Sequence, residues 1–168
     1  MQGVIFRKPL NIRWVSFLGD FLLTGMVIGP IAAPFLAASG IPTLPIIAQI
    51  IYFMGDHVCP QPSMGLELAP PWIMAVCMRC YGTVSGLLIT RLLYAVTQGK
   101  GGYWLSRYGW NGAAIASVFM MAYPGELAAE VFGWWSFNNY VVTIFGLITG
   151  LSWGLFTMPI LHEKLGNR

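Results

Sequence analysis

Apolar residues in this chain are grouped into long continuous runs, and short polar segments separate the runs. Four runs are long enough to cross a membrane as helices, at about 14–38, 72–96, 108–124 and 140–161. A transmembrane helix needs about 20 apolar residues at a rise of about 1.5 Å per residue. The pattern predicts an all-α integral membrane protein with four transmembrane helices.

A fifth apolar run, at about 44–54, has only eleven residues. A helix of that length cannot cross a hydrocarbon core of about 30 Å. We interpret it as a short re-entrant or interfacial helix.

The first long run contains Pro30 and Pro34, which predict a bent helix. Proline frees backbone carbonyls, and inside a membrane these need hydrogen-bond partners from neighbouring helices. Asp20 lies near the start of the same run. It is either a functional carboxylate or a charge at the membrane interface, and its closeness to the basic N-terminal arm favours the interface.

The composition agrees with one membrane domain over residues 1–168. Of all residues, 57% are hydrophobic and only 9% are charged, which leaves too little polar surface for a soluble domain. The net charge of +3 is small and the basic residues flank apolar runs, so nucleic-acid binding is not expected.

The charges also predict an orientation. With four spans, the basic N-terminal arm, the loop with Lys100 and Arg107 and the basic tail fall on one side of the membrane. A fifth span at 44–54 would separate them, which the positive-inside tendency disfavours. We therefore predict cytoplasmic N and C termini and a non-cytoplasmic loop at 56–71. The terminal basic residues are Arg7, Lys8, Arg13, Lys164 and Arg168, and the acidic residues on the opposite side are Asp56, Glu67, Glu126 and Glu130.

Glycines recur at intervals of four in three of the predicted spans. This spacing lets helix backbones approach closely. It is compatible with a compact bundle within one chain, which we favour, or with a dimer face. The glycines are Gly25 and Gly29 in the first span, Gly82 and Gly86 in the second, and Gly146, Gly150 and Gly154 in the fourth.

The candidate chemistry lies around the polar loop at 56–71. Cys77 and Cys80 form a C-x-x-C pair, and the loop carries His57 and Cys59. Three cysteines and one histidine suit tetrahedral zinc. The same thiolates are compatible with a small iron–sulfur cluster. Because a non-cytoplasmic compartment is oxidising, a disulfide without any metal is the alternative.

Arg79 lies between the two cysteines of the C-x-x-C pair. One interpretation is a counter-charge that favours the thiolate forms of its neighbours. The other, which we favour, is an arginine whose long stem carries its charge to the headgroups, as we also expect for Arg91.

Two stretches resemble a known family. They are C-P-Q-P-S at 59–63 and C-M-R-C-Y-G at 77–82, with a glycine following at 86. This pattern is similar to that of the domain of unknown function 2085 family. In that family a histidine follows the first cysteine, whereas His57 precedes Cys59 here. The resemblance implies a small bacterial membrane protein without an established activity, and photosynthetic bacteria as one source.

These features predict a structural Cys/His metal site in an accessory or assembly partner of a larger membrane complex. That complex would be photosynthetic or electron-transferring, in a bacterial inner or thylakoid membrane. The alternative is a quinone-linked thiol-disulfide oxidoreductase that uses the C-x-x-C pair, and the third candidate is a small transporter. We identify no catalytic residue in the sequence and favour a role that is not enzymatic.

Overall fold

The computed structural model describes residues 12–97 and 100–162. Short 3₁₀ turns at Pro62–Met64 and Leu105–Tyr108 supplement the regular elements. In chain order, the α-helices and β-strands are α1 (Ile12–Ala38), α2 (Leu44–Val58), β1 (Glu67–Ala69), β2 (Trp72–Ile73), α3 (Met78–Thr97), α4 (Gly109–Met120), α5 (Ala122–Val131) and α6 (Asn139–His162).

Four helical segments are long and apolar enough to cross a membrane, which confirms the predicted all-α membrane fold. They are Ser16–Ala38, Met78–Thr97, Leu105–Val131 and Asn139–His162. The shorter apolar helix, α2, has 15 residues and runs on from the predicted 44–54 to Val58. Its length of about 22 Å is below the thickness of a hydrocarbon core.

The glycines of α3 and α6 lie where these two helices approach each other closely. A Cβ atom on Gly86 would lie 2.7 Å from both the Leu147 oxygen and the Leu151 nitrogen. A Cβ on Gly150 would meet the backbone of Thr83. These glycines therefore pack two helices of one chain against each other, whereas nothing lies within 4 Å of a Cβ at Gly25 in α1.

Prolines in α1 link that helix to the segment before α3. Pro34 has no N–H group, so the carbonyl of Pro30 one turn earlier lacks its helical partner. The Ala75 N–H donates to that carbonyl at 3.5 Å. The freed carbonyl predicted from the sequence thus finds its partner in a loop, two residues before Cys77.

The second transmembrane helix begins later than predicted. The chain at 72–77 is not helical: Trp72 and Ile73 form β2, which pairs antiparallel with β1, and α3 starts at Met78. A cis peptide bond between Pro70 and Pro71 lies at the turn of this two-stranded hairpin. We predicted that the helix starts at residue 72 because a short apolar run is compatible with a strand as well as with a helix.

The third span extends past the predicted end at 124 and is interrupted at Met121. Pro124 cannot donate to the carbonyl of Met120, and the Thr149 hydroxyl donates to that carbonyl at 3.5 Å instead. The chain then continues as α5 to Val131. This extension places Glu126 and Glu130 on a helix of the bundle.

Both ends of the described chain lie at the same end of the bundle. Ser16 near the start of α1 hydrogen-bonds the ring nitrogen Nδ1 of His162 at the end of α6. Four of the five terminal charges behind the predicted cytoplasmic orientation lie outside the described residues, and Arg13 is in α1. That orientation stays a prediction.

Candidate metal centre

Three cysteines meet where the loop after α2 reaches the start of α3. The Cys59 sulfur lies 3.3 Å from the Cys77 sulfur and 3.5 Å from the Cys80 sulfur. All three sulfurs lie within 4.8 Å of one another. Cys59 and Cys77 are buried and Cys80 is partly buried, and all three are free thiols. The predicted convergence of the cysteines is therefore present.

The backbone around this cluster is fixed by close packing. Cys77 immediately precedes α3, and its carbonyl accepts from the Tyr81 N–H at 3.0 Å. Its own N–H donates to the Cys59 sulfur at 3.3 Å. On α2, a Cβ at Gly55 would collide with the Ala75 carbonyl, so only glycine lets α2 end this close to the segment before Cys77.

Hydrogen bonding favours one ionised thiol in the metal-free cluster. When ionised, Cys59 accepts from the thiols of Cys77 and Cys80, and these bonds lower the pKa of Cys59 to about 2. The same interaction with Cys59 raises the pKa of Cys77. A negative charge on the Cys59 sulfur therefore faces the N-terminus of α3, where helices favour anions.

His57 does not join the three sulfurs. Its Nδ1 lies 2.8 Å from the Phe53 carbonyl, and its ring packs on the Phe53 ring at a centroid distance of 4.3 Å. The side chain is exposed on the last turn of α2. Of the four predicted ligands, the structure thus brings together the cysteines alone.

Arg79 does not reach for headgroups as we had favoured, and its side chain is fully buried. Its Nε donates to Glu126, its Nη2 donates to Glu130 at 2.5 Å, and its Nη1 donates to the Gln61 oxygen at 2.8 Å. The two carboxylates together carry more charge than one guanidinium. The Arg79 guanidinium is therefore paired with the two carboxylates of α5, and its role as a counter-charge to the thiolates stays a prediction.

Glu126 and Glu130 are the partners of Arg79 that the sequence interpretation missed. Both were assigned to a loop because the third span was ended near Pro124. Their spacing of four residues is the signal that could have placed them together, since such residues share a face of a helix. Gln61 completes the network by donating to Glu130 at 3.1 Å.

Tyr123 connects α5 directly to the cysteine cluster. Its hydroxyl lies 3.2 Å from the Cys80 sulfur. The Arg79 guanidinium carbon lies 5.8 Å from the centre of the Tyr123 ring, within the range of a cation–π contact. The same short helix thus contacts both Arg79 and the cluster.

A second charged pair lies at the opposite end of α3. Arg91 donates through Nε and Nη2 to the two carboxylate oxygens of Asp20, each at 2.5 Å. The side chains are 21% and 39% exposed. Arg91 therefore pairs with Asp20 of α1, whereas we had expected its long stem to carry the charge to the headgroups.

A family model described as "Predicted membrane protein (DUF2085)" matches residues 70–156, just over half of the 168 residues. The chain belongs to the DUF2085 family. The matched region of this DUF2085 protein includes Cys77, Cys80, Arg79 and both glutamates, whereas Cys59 precedes it. No curated protein and no solved structure matches the chain significantly.

The arrangement in this DUF2085 protein suits a soft metal ion. A tetrahedral zinc site with zinc–sulfur bonds of about 2.3 Å separates its sulfurs by about 3.8 Å. The separations of 3.3 and 3.5 Å from Cys59 are close to that spacing. Three nearby cysteines could therefore hold a metal ion, or two of them could form a disulfide after a small approach.

Proposed function

We propose that this DUF2085 protein binds one soft metal ion, zinc or iron, through Cys59, Cys77 and Cys80. The observation that carries the proposal is the convergence of three sulfurs from two separate segments within 4.8 Å. Thiolates are preferred ligands of both metals. Cys59 has a lowered pKa, so one ligand is already in the form that binds metal.

The role of this metal is structural. A bound ion would tie the loop that follows α2 to the first turn of α3. Around it, Arg79 and its two glutamate partners join α3 to α5. The site is surrounded by the loop after α2, by α3 and by α5. Such a site suits a metal ion that stabilises the fold better than one that acts on a large substrate.

We further propose that the protein acts as an accessory or assembly partner of a larger membrane complex. Much of the surface of α1 is apolar and exposed, and lipid or a partner helix can cover it. Its exposed aromatic side chains include Trp14, Phe17, Phe21 and Phe35.

Elemental analysis of protein purified in mild detergent tests the metal. We expect about one zinc or iron per chain, lost in Cys59→Ser and Cys77→Ser. Metal-free protein that takes up neither ion on titration would refute the metal site.

Gentle solubilisation of native membranes tests the partner role. We expect the protein to migrate in a complex larger than the isolated chain and its detergent. Migration only as a monomer, with intact metal, would reject the partner role and leave the metal site standing.

Thiol-disulfide exchange is the second candidate, favoured by the lowered pKa of Cys59 and by its sulfur lying 3.3 Å from the Cys77 sulfur. Thiolates are the attacking species in this chemistry. With only three cysteines, the chain lacks a second pair to pass electrons onward. Thiol trapping would separate the candidates: a redox protein shows a disulfide that responds to the quinone pool, whereas a metal site resists alkylation until chelator is added.

A further inference from the structure

We propose that the phenolic oxygen of Tyr123 is the fourth ligand of the metal ion. This inference rests on the metal site proposed above and extends it to α5. It assigns a role to a residue that neither the cysteine motif nor the predicted histidine ligand would indicate.

The first argument is geometric. In the part of the chain that the structure describes, Tyr123 is the side chain outside the cysteines whose oxygen contacts a cysteine sulfur, at 3.2 Å from Cys80. A tetrahedral zinc ion with a zinc–oxygen bond of about 2.1 Å would separate sulfur and oxygen by about 3.6 Å. The oxygen thus lies about as close to its sulfur neighbour as the sulfurs lie to one another.

The second argument concerns the competing donors. Closed structural zinc sites have four protein ligands, so three cysteines leave one position to fill. His57 is turned toward Phe53 on the exposed side of α2. Glu126 and Glu130 each pair one carboxylate oxygen with Arg79, and among the described residues no carboxylate oxygen joins the group of three sulfurs. Tyr123 approaches the cluster from α5.

The third argument concerns charge. Coordination forms a metal–oxygen bond, breaks the phenolic O–H bond and releases that proton to solvent. The developing negative charge lies on the oxygen that binds the metal ion, and the positive charge of that ion favours the ionised form of the oxygen. Ligation by Tyr123 would also make the position of α5 depend on the metal.

Zinc titration of the reduced, metal-free full-length protein in detergent tests this assignment. The readout is the near-ultraviolet difference band of ionised tyrosine, together with the zinc affinity. We expect wild type to gain about one ionised tyrosine per zinc bound. Tyr123→Phe should lose this band and bind zinc at least about tenfold more weakly.

Tyr81→Phe is the matched control, because Tyr81 packs beside the same cysteines. It should keep both the band and the affinity. Wild type that binds zinc without ionising a tyrosine, or Tyr123→Phe that retains the band, would overturn the assignment while leaving the cysteine site intact. Failure of wild type to bind zinc or iron would instead refute the proposed metal site itself.

Discussion

The guanidinium of Arg79, the second residue of α3, is paired with the carboxylate of Glu126 in α5, and both side chains are fully buried. The pair joins two transmembrane segments beside the cysteine cluster. Within the described residues, the second oxygen of Glu126 has no hydrogen-bond partner. Arg79 is therefore the main compensation for the buried charge of Glu126.

Removing Arg79 should destabilise the protein strongly. Arg79→Ala leaves Glu126 and Glu130 close together without their cation, and an uncompensated buried charge costs about 3–5 kcal/mol. The free energy of unfolding, from equilibrium denaturation in mixed micelles, measures this loss. Because the pair is coupled, Arg79→Ala/Glu126→Ala should lose less than the sum of the two single variants. Additive losses would show that the pair does not act as a unit.

The pair at the other end of α3 should matter much less. Asp20 and Arg91 are partly exposed, at 39% and 21%, so solvent screens their attraction. We expect Asp20→Asn to cost at most about 1 kcal/mol in the same denaturation experiment. A loss as large as that of Glu126→Gln would mean that solvent screens the Asp20–Arg91 pair no more than it screens the buried pair at the cysteine end.

The number of spanning helices was predictable because it depends on apolar length alone. The segment at 72–77 was not, because its apolar residues suit a strand and a buried loop equally well. The freed carbonyl of Pro30 in α1 was also predictable from Pro34. Its partner, Ala75, was not, since that contact depends on how a distant loop folds back.

The convergence of the three cysteine sulfurs was predictable from the sequence, whereas the contacts around them were not. The C-x-x-C pair placed two sulfurs close together, and the short loop brought the Cys59 sulfur to them. Arg79 was misjudged because a charge near a span end is usually solvated. Its true partners lie about fifty residues later, beyond a proline that ended the predicted span too early.

The glycine contact between α3 and α6 should tolerate no side chain. Gly150→Ala would place a Cβ against the Thr83 backbone, so we expect a loss of about 1–3 kcal/mol. Gly25→Ala is the matched control, since nothing lies within 4 Å of its Cβ position. That variant should be neutral or gain up to about 1 kcal/mol from helix propensity. Equal losses in both variants would contradict the assigned contact.

His57 should be dispensable for metal binding. Its ring packs on Phe53, away from the sulfurs, so His57→Ala should keep the metal content and affinity of wild type. Cys59→Ser, two residues later, should lose the metal. Quantification of bound metal per chain compares the two variants directly. A large loss in His57→Ala would restore the three-cysteine, one-histidine site that the sequence suggested.

Lowering the pH should reduce the free energy of unfolding of the metal-free, reduced protein, because the Cys59 thiolate becomes protonated. The pKa of Cys59 is about 2 in the folded state against an ordinary value of 9.0, so the folded state favours the thiolate. A lowered pKa adds stability that is complete above the ordinary value and is lost as the pH falls toward the folded value. The raised pKa of Cys77 acts in the opposite direction, and its contribution is lost as the pH rises above 9.0.

The stability difference between wild type and Cys59→Ser isolates the thiolate contribution. We expect this difference to shrink steadily when the pH is lowered from about 8 to about 4, because each lost pH unit removes up to about 1.4 kcal/mol from wild type alone. Carboxylate titration affects both proteins alike and cancels in the comparison. A difference that stays constant over this range would mean that Cys59 is protonated in the folded protein and that its hydrogen bonds do not hold a thiolate.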